Sequence, residues 1–273
     1  MPTQAEKAAR FRALHAEPGT FVIGNAWDGG SARMLTALGF KAIATSSGAS
    51  AGVLGRRDGM VTREEALSHC RLIVQSTDLP VSADLEKGFG DSPQAAADAI
   101  RLAAGVGLVG ASIEDATGDP AAPLFPPDVA AARIAAAAET SRALGFGFTL
   151  TARTENYLRG NPDLQDTIRR LQAFEAAGAD VLMAPGLPDL DAVRAVCSAL
   201  SKPVNFMAGI KGKSFTVAAL AEAGVKRVSL ATSLYRSAMT GLLAAAKEVA
   251  EHGTFAYLDE ALATGDLNRF MVG

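Results

Sequence analysis

The sequence alternates between short apolar segments and longer segments with helical periodicity. The short segments are rich in β-branched residues, and the longer ones repeat apolar residues every three or four positions, as helices packed on one face do. Apolar strands that alternate with amphipathic helices are typical of parallel β-sheets covered on both faces. Eight short segments have this character: 21–28, 41–48, 80–86, 108–115, 147–154, 179–186, 203–209 and 227–234.

Eight strand–helix units in 273 residues predict a (β/α)8 TIM-type barrel. The alternative fold is an open doubly wound sheet, but its usual G-x-G-x-x-G fingerprint is missing after the first strand, where the chain reads GNAWDGG. We therefore predict a single barrel domain over residues 1–273. An extra helix precedes the barrel, and a tail follows it from about residue 253.

Composition excludes several classes of protein. The net charge of -3 lacks the basic excess that nucleic-acid binding requires. Cys70 and Cys197 are too few and too far apart for a disulfide framework or a paired-cysteine metal motif. No apolar run reaches membrane-spanning length. We predict a cytoplasmic protein without nucleic-acid or membrane partners.

Carboxylates follow two of the predicted strands, at the end of the barrel where active sites are built. Asp84 and Glu86 end the third strand two residues apart, which predicts a shared face, and Glu114 ends the fourth. Acids gathered in a partly dry cleft must be protonated, paired or bound to a cation. Oxygen ligands favour Mg²⁺, with Mn²⁺ tolerated. The alternative is that some of these acids cap helices, which is the favoured interpretation for Asp115.

Arg153 is a cation at the end of the fifth predicted strand. Its planar guanidinium matches a carboxylate, so we predict that it binds a carboxylate of the substrate. The alternative is that Arg153 only balances neighbouring acids. The TSSGA turn at 45–49 offers backbone N–H groups and hydroxyls as a second seat for an anion.

Side chains of several other catalytic classes lie away from the strand ends. All three histidines and both cysteines fall in predicted helices, so neither a histidine base nor a thiol nucleophile is expected at the site. Lys211 and Lys213 follow the seventh strand on a glycine-rich turn. They could bind an anion, although a solvated loop is the favoured interpretation.

Five segments at the predicted strand ends resemble the isocitrate lyase/phosphoenolpyruvate mutase superfamily. They read NAWDGGSARML (25–35), ATSSGASAGVLGRRDG (44–59), ADLEKGFG (83–90), ASIEDA (111–116) and TARTENYL (151–158). The resemblance implies Mg²⁺ bound directly by Asp84, with Glu86 and Glu114 acting largely through water. It also implies a last helix that swaps onto a neighbouring subunit, giving a homodimer or homotetramer.

The resemblance further implies a small 2-oxo or 2-hydroxy acid as substrate. Asp58 in RRDG corresponds to a loop aspartate that organises metal-bound water or reaches the substrate, which gives Asp58, Glu114 and Arg153 as the candidate catalytic residues. The candidate substrate-binding residues are Trp27, Thr45, Ser47, Gly48, Ala49 and Arg153.

The loop after the fourth strand departs from the superfamily pattern. The lyases carry a Lys-Lys-Cys-Gly-His motif there, but residues 115–128 read DATGDPAAPLFPPD, without Cys, His or Lys. Phosphonate-processing members need a lysine together with an asparagine or threonine, and only Thr117 is present. The favoured function is a Mg²⁺-dependent C–C lyase of decarboxylase type for a 2-oxo dicarboxylate such as oxaloacetate. The alternatives are a phosphonopyruvate- or carboxyphosphonate-type P–C mutase or hydrolase, and a catalytically silent 2-oxo-acid-binding protein.

Overall fold

A computed structural model describes residues 2–271, and within this range eight parallel strands close into a barrel. Each strand pairs with the next in the chain, and the last pairs with the first. The strands are β1 (Phe21–Asn25), β2 (Ile43–Ala44), β3 (Val81–Asp84), β4 (Gly110–Glu114), β5 (Thr149–Arg153), β6 (Val181–Met183), β7 (Val204–Met207) and β8 (Arg227–Ser229). This closure confirms the predicted (β/α)8 barrel and excludes the open sheet.

Helices follow the strands on the outside of the barrel, and local capping sets where several of them begin. Thr62 and Glu65 form a reciprocal capping box, and the Ser92 hydroxyl accepts a hydrogen bond from the backbone of Ala95. The helices are α1 (Gln4–Ala16), α2 (Gly29–Ala37), α3 (Ser47–Val53), α4 (Arg63–Gln75), α5 (Pro93–Gly105), α6 (Pro127–Ala143), α7 (Leu164–Ala176), α8 (Leu190–Ser198), α9 (Val217–Glu222), α10 (Ser233–His252) and α11 (Thr264–Met271). Short 3-10 helices span Asn156–Arg159 and Ala256–Asp259.

The extra N-terminal helix α1 covers the end of the barrel opposite the strand carboxyl ends. Phe11 on this helix is fully buried, and Gln4 donates hydrogen bonds to the carbonyls of Ala104 and Leu108. His15 contacts the ring of Phe11, and burial, followed by the charge of Arg227, lowers the pKa of His15 to about 3. His15 is therefore a neutral packing residue, and α1 forms a closed floor for the barrel.

The interior of the barrel above this floor is polar. Arg227 donates hydrogen bonds to Asn205 Oδ1 at 2.8 Å and to Thr151 Oγ1 at 3.0 Å, and Asn205 donates to Ser229. Burial lowers the pKa of Arg227 to about 9. A cavity of about 50 Å³ reaches from these groups to Asp84 at the end of β3. The carboxyl ends of the strands therefore lie above a hydrogen-bonded polar layer inside the barrel.

The C-terminal part of the described chain lies outside the barrel wall. Helix α10 buries none of its residues, and α11 packs on α2 of the same chain. No helix in residues 2–271 combines the length and apolar character that a membrane crossing demands. A single domain, a swapped C-terminal helix and a cytoplasmic location all stay predictions.

Gly110 on β4 generates a prediction about the packing of the floor. A Cβ at this position would lie 2.9 Å from the carbonyl oxygen of Thr149 and 2.9 Å from Phe11 Cε1, with little room to move. We expect Gly110→Ala to destabilise the protein by about 1–3 kcal/mol, the usual range for overpacking a core. Chemical denaturation monitored by circular dichroism measures this change.

Gly105→Ala provides the matched control, since a Cβ there would meet nothing within 4 Å at the end of α5. Alanine is the stronger helix former, so this variant should be as stable as the wild type or slightly more stable. Equal stability of the two variants would contradict the close packing of β4 on α1.

Candidate active site

Asp84, the last residue of β3, is fixed by hydrogen bonds from two neighbouring elements. Its backbone N–H donates to Thr45 Oγ1 at 3.1 Å. Ser47, the first residue of α3, donates to Asp84 Oδ2 from its backbone N–H at 3.3 Å and from its hydroxyl at 3.1 Å. Of the predicted substrate-binding residues, Thr45 therefore holds the backbone of Asp84, and Ser47 holds its carboxylate, the predicted direct metal ligand.

A turn, and not strand alternation, brings Glu86 to the site. Strand β3 ends at Asp84, and Glu86 has a backbone φ of 52° in the left-handed region. This conformation is uncommon for a residue other than glycine and occurs often at functional sites. The backbone N–H of Glu86 donates to Asp84 Oδ1 at 3.2 Å. This hydrogen bond links the two acids. The prediction that they share one face of the strand is wrong, because Glu86 lies beyond the end of β3.

Arg153, at the end of β5, lies among three carboxylates. Its Nε donates a hydrogen bond to Glu155 and lies 3.5 Å from Glu114 Oε2, and its Nη1 is 3.7 Å from Asp84 Oδ2. Residues Glu114 and Arg153 face each other because they are register partners on β4 and β5. Balancing these acids is therefore one role of Arg153, and binding a substrate carboxylate stays a prediction.

A cleft of about 500 Å³ opens above these strand ends and gathers five of the predicted site residues. Loop residue Asp58 lies over the first turn of α3, where its Oδ2 is 3.2 Å from the position that a Cβ would have on Gly48. The cleft is lined by Ser47, Asp58, Glu86, Glu114 and Arg153, together with Lys87, Thr117 and Arg159.

The remaining predicted residues lie beside the cleft. The indole of Trp27 packs edge-on against Tyr235 with ring centroids 5.7 Å apart, and Ala49 is buried in α3. Thr45 lines the smaller cavity inside the barrel, next to Asp84. The substrate-binding roles of Trp27, Gly48 and Ala49 stay predictions.

Asp115 does not cap the following helix, so the capping interpretation is wrong. Helix α6 has no side-chain cap. The buried carboxylate of Asp115 instead accepts hydrogen bonds from the Thr154 hydroxyl and the Glu155 backbone N–H, both at 2.8 Å, and from Arg170 at 3.1 Å. Asp115 therefore fastens the segment that follows β5 and carries Glu155 behind Arg153.

Burial and like charges make this site electrostatically strained. Burial, followed by the charges of Asp84 and Asp58, raises the pKa of Glu86 to about 7. Burial also raises the pKa of Glu114, an effect that Arg153 opposes and Glu155 reinforces. Burial by itself would lower the pKa of Arg153, but the surrounding carboxylates raise it above its usual range.

Surplus negative charge of this kind fits a hard divalent cation. Within residues 2–271, no three His, Cys, Asp or Glu side chains are grouped closely enough to hold a metal ion between them. An open arrangement suits Mg²⁺, which keeps several waters and takes only one or two protein carboxylates. Asp84, held by Thr45 and Ser47, would supply the direct ligand, and Glu86 and Glu114 would act through water.

The parallel barrel has an acidic cleft at the carboxyl ends of its strands, which is where TIM-barrel enzymes have their active sites. The protein is therefore an enzyme of the TIM-barrel class. The family model for phosphoenolpyruvate phosphomutase matches residues 11–250, and the chain therefore belongs to that family and to the isocitrate lyase/phosphoenolpyruvate mutase superfamily of lyases and mutases. The family predicted from the five strand-end segments is thereby confirmed.

Individual relatives cover nearly the whole chain. An uncharacterized protein of Mycobacterium tuberculosis is 32% identical over 242 residues, which are 88% of this chain and 89% of the relative. Oxaloacetate decarboxylase of Chromohalobacter salexigens is 28% identical over 245 residues, 87% of this chain and 83% of the relative. A Burkholderia cenocepacia crystal structure, described only as a lyase or mutase, has a TM-score of 0.97 and 49% identity and covers 99% of this chain and 98% of its own.

Two cations of the cleft had no predicted role. Lys87 follows Glu86 directly, and Arg159 ends the 3-10 helix six residues after Arg153. Both lie within or next to the motifs that identified the superfamily. Their positions in the sequence, close to Glu86 and Arg153, could have indicated them as site residues. The search for polar residues at strand ends did not find them, because neither residue belongs to a strand.

The raised pKa of Glu86 generates a prediction about pH and stability. The pKa of Glu86 is about 7 in the folded protein and 4.5 as its ordinary value, so the folded state binds the proton more tightly than the unfolded state does. The free energy of unfolding that this proton contributes is therefore lost as the pH rises from about 4.5 to 7. We expect Glu86→Gln to have a higher Tm than the metal-free wild type at about pH 8, by roughly 2–4 °C for each kcal/mol of relieved repulsion. Near pH 4.5 the two proteins should have similar Tm values.

Addition of Mg²⁺ should raise the Tm of the wild type more than that of Glu86→Gln, since ligand binding stabilises the folded state. Glu139→Gln is the control, because Glu139 is exposed on α6. A Glu86→Gln variant that is less stable at alkaline pH without metal would show that the charge on Glu86 is already compensated by protein groups.

Proposed function

We propose that this protein is a Mg²⁺-dependent C–C lyase of decarboxylase type acting on a small 2-oxo dicarboxylate, with oxaloacetate as the leading candidate. The observation that carries the proposal is the grouping of three carboxylates around Arg153, which lines both the cleft and the smaller cavity below it. Glu86 and Glu114 line the cleft with Arg153, and Asp84 lines the smaller cavity, 3.7 Å from Arg153. Mn²⁺ is a second possible cofactor of the same oxygen-rich site.

Each of these residues has a distinct part in the proposed reaction. Asp84 is held rigidly by Thr45 and Ser47 and would position the cation, which supplies positive charge to the oxygens of a pyruvate-type enolate. Arg153 would hold the substrate carboxylate with the N–H groups that its neighbouring acids leave free. Asp58 lies above Gly48 at the cleft, where it would orient water next to Glu86.

The loop after β4 supports a reaction that needs no acid–base side chain from this segment. Thr117 uses its hydroxyl to donate to the carbonyl of Ala122 at 2.6 Å and its N–H to donate to that of Pro123 at 3.0 Å. Ala116 and Leu124 form an antiparallel bridge that closes the loop on itself. Loss of CO₂ leaves an enolate that requires only a proton from water, so decarboxylation is compatible with such a loop.

A P–C bond enzyme is the second candidate, because the matching family model is that of phosphoenolpyruvate phosphomutase. Its expected reaction is that of a phosphonopyruvate- or carboxyphosphonate-type mutase or hydrolase. The internal hydrogen bond of the Thr117 hydroxyl favours the decarboxylase over this alternative. Similarity to the oxaloacetate decarboxylase of Chromohalobacter salexigens supports the same choice.

Purified protein incubated with 2-oxo and 2-hydroxy di- and tricarboxylates, with and without Mg²⁺, tests the three functions together. Pyruvate and CO₂ from oxaloacetate, above the uncatalysed rate, would support the decarboxylase. Turnover of phosphonopyruvate followed by ³¹P NMR would overturn it in favour of P–C chemistry. Mg²⁺-dependent binding of oxalate, an enolate mimic, without turnover of any substrate would identify a silent binding protein.

Asp84→Ala should abolish both the Mg²⁺-dependent decarboxylation and the calorimetric binding of oxalate, because it removes the proposed direct ligand. Asp191→Ala is the matched control, since Asp191 is exposed on α8 and its ion pair is with Arg194, the exposed neighbour three residues later. Unchanged oxalate binding by Asp84→Ala would refute the assignment of Asp84 to the metal. Circular dichroism spectra of both variants establish that they are folded.

We also propose that the protein forms a homodimer or homotetramer through its C-terminal part. Large apolar side chains are exposed on α10 and on the tail behind it, and clustered apolar exposure is typical of association surfaces. Light scattering after size-exclusion chromatography should give an integral multiple of the 28.0 kDa chain mass. A monomer at micromolar concentration would contradict the proposal. The exposed residues include Leu242, Leu243, Phe255, Leu258 and Leu262.

A further inference from the structure

Two guanidinium groups in the cleft are held by the same two carboxylates. Glu114 lies 3.5 Å from Arg153 Nε and 3.6 Å from Arg159 Nη2. Glu155 accepts a hydrogen bond from Arg153 Nε and lies 3.3 Å from Arg159 Nε. The four charges thus alternate in sign, and the shared acids fix the spacing between the two arginines.

The backbone also fixes Arg159. It ends the 3-10 helix Asn156–Arg159, and its N–H donates to the carbonyl of Glu155 at 2.9 Å. Asn156 at the start of this helix is fully buried and donates to Asp166 at 2.8 Å. Gly160, with φ of 82°, ends the helix in the left-handed conformation that favours glycine. Arg159 therefore extends from a rigid support.

The two arginines differ in their exposure and in their free donors. The side chain of Arg153 is 12% exposed, whereas that of Arg159 is 43% exposed. Neither ion pair of Arg159 has the geometry of a hydrogen bond, and within residues 2–271 its guanidinium donates none. Arg159 lines the cleft with its donors available to a ligand.

Lys87 is the third cation among the described residues that line the cleft, and its donors are largely occupied. Its ammonium donates to Asp91 Oδ1 at 2.6 Å and to the carbonyl of Thr117 at 2.5 Å. Lys87 therefore ties the exit of β3 to the loop after β4. This leaves Arg159 as the cation best placed to meet a second negative group of a ligand.

We propose that Arg159 binds the distal carboxylate of the substrate, the one that is not adjacent to the 2-oxo or 2-hydroxy carbon, and thereby selects acids that carry this carboxylate over acids that lack it. The inference rests on the proposed function, in which the first carboxylate and the adjacent oxygen of the substrate bind next to Asp84 and Arg153. A guanidinium presents paired N–H donors that match a carboxylate. Its partial exposure leaves room for the substrate to enter, and its two buried partners keep it aimed at the cleft.

Malate and lactate are the probes for this assignment, because they share the 2-hydroxy carboxylate end and differ by one carboxylate. Calorimetry in the presence of Mg²⁺ should show that the wild type binds malate about tenfold or more tightly than lactate, as expected for a charged hydrogen-bonded group. Arg159→Gln should bring this ratio close to one while leaving the affinities for lactate and oxalate within about twofold of the wild type.

Two further variants separate recognition from a general structural effect. Arg159→Lys keeps the positive charge but lacks the paired N–H donors of a guanidinium, so it should retain only part of the preference for malate. Arg194→Gln removes an exposed arginine on α8 that does not line the cleft, and it should leave the malate-to-lactate ratio unchanged. Tm values for all variants establish that the comparison is made between folded proteins.

Three results would contradict the inference, each for a different reason. An unchanged malate-to-lactate ratio in Arg159→Gln, with oxalate binding intact, would overturn the role of Arg159 alone. An equal loss of affinity for lactate, malate and oxalate would show that Arg159 only supports Glu114 and Glu155, which also overturns the inference. A wild type that fails to bind oxalate in the presence of Mg²⁺ would overturn the proposed function together with it.

Discussion

The Arg153 guanidinium is surrounded by Asp84, Glu114 and Glu155 at the mouth of the barrel, and the arrangement of the site depends on this packing of charges. Removing ionised groups from water is expensive unless they are paired and hydrogen-bonded. The neighbouring residues meet this requirement locally: Ser47 donates to Asp84, and Asp115 anchors the backbone of Glu155. What they leave uncompensated is the negative charge shared by the acids of the cleft, which a divalent cation would balance.

The barrel could be predicted from periodicity because each of its strands is a short apolar segment bounded by helical repeats. The same pattern located Asp84, Glu114 and Arg153, since strand ends converge at one rim. The position of Glu86 could not be predicted, because it depends on the left-handed backbone conformation that Glu86 itself adopts in the turn after β3. Arg159 was not predicted because its partners depend on the register of β4 with β5 and on a short 3-10 helix.

The polar interior of the barrel also lay beyond sequence reasoning. Arg227 begins a strand of three residues, where local pattern alone does not distinguish an inward from an outward side chain. In the structure it is buried against Asn205 and Thr151, with its guanidinium over the ring of Phe11 from the N-terminal helix. That contact joins the first helix to the last strand, a long-range relation that no short motif contains.

The floor that α1 and Phe11 form has a consequence for the route by which small molecules enter and leave the proposed site. With that end of the barrel closed, the cleft is left to exchange small molecules with solvent at the mouth. A carboxyl group that departs as CO₂ and the water that delivers the replacing proton would then use the same opening.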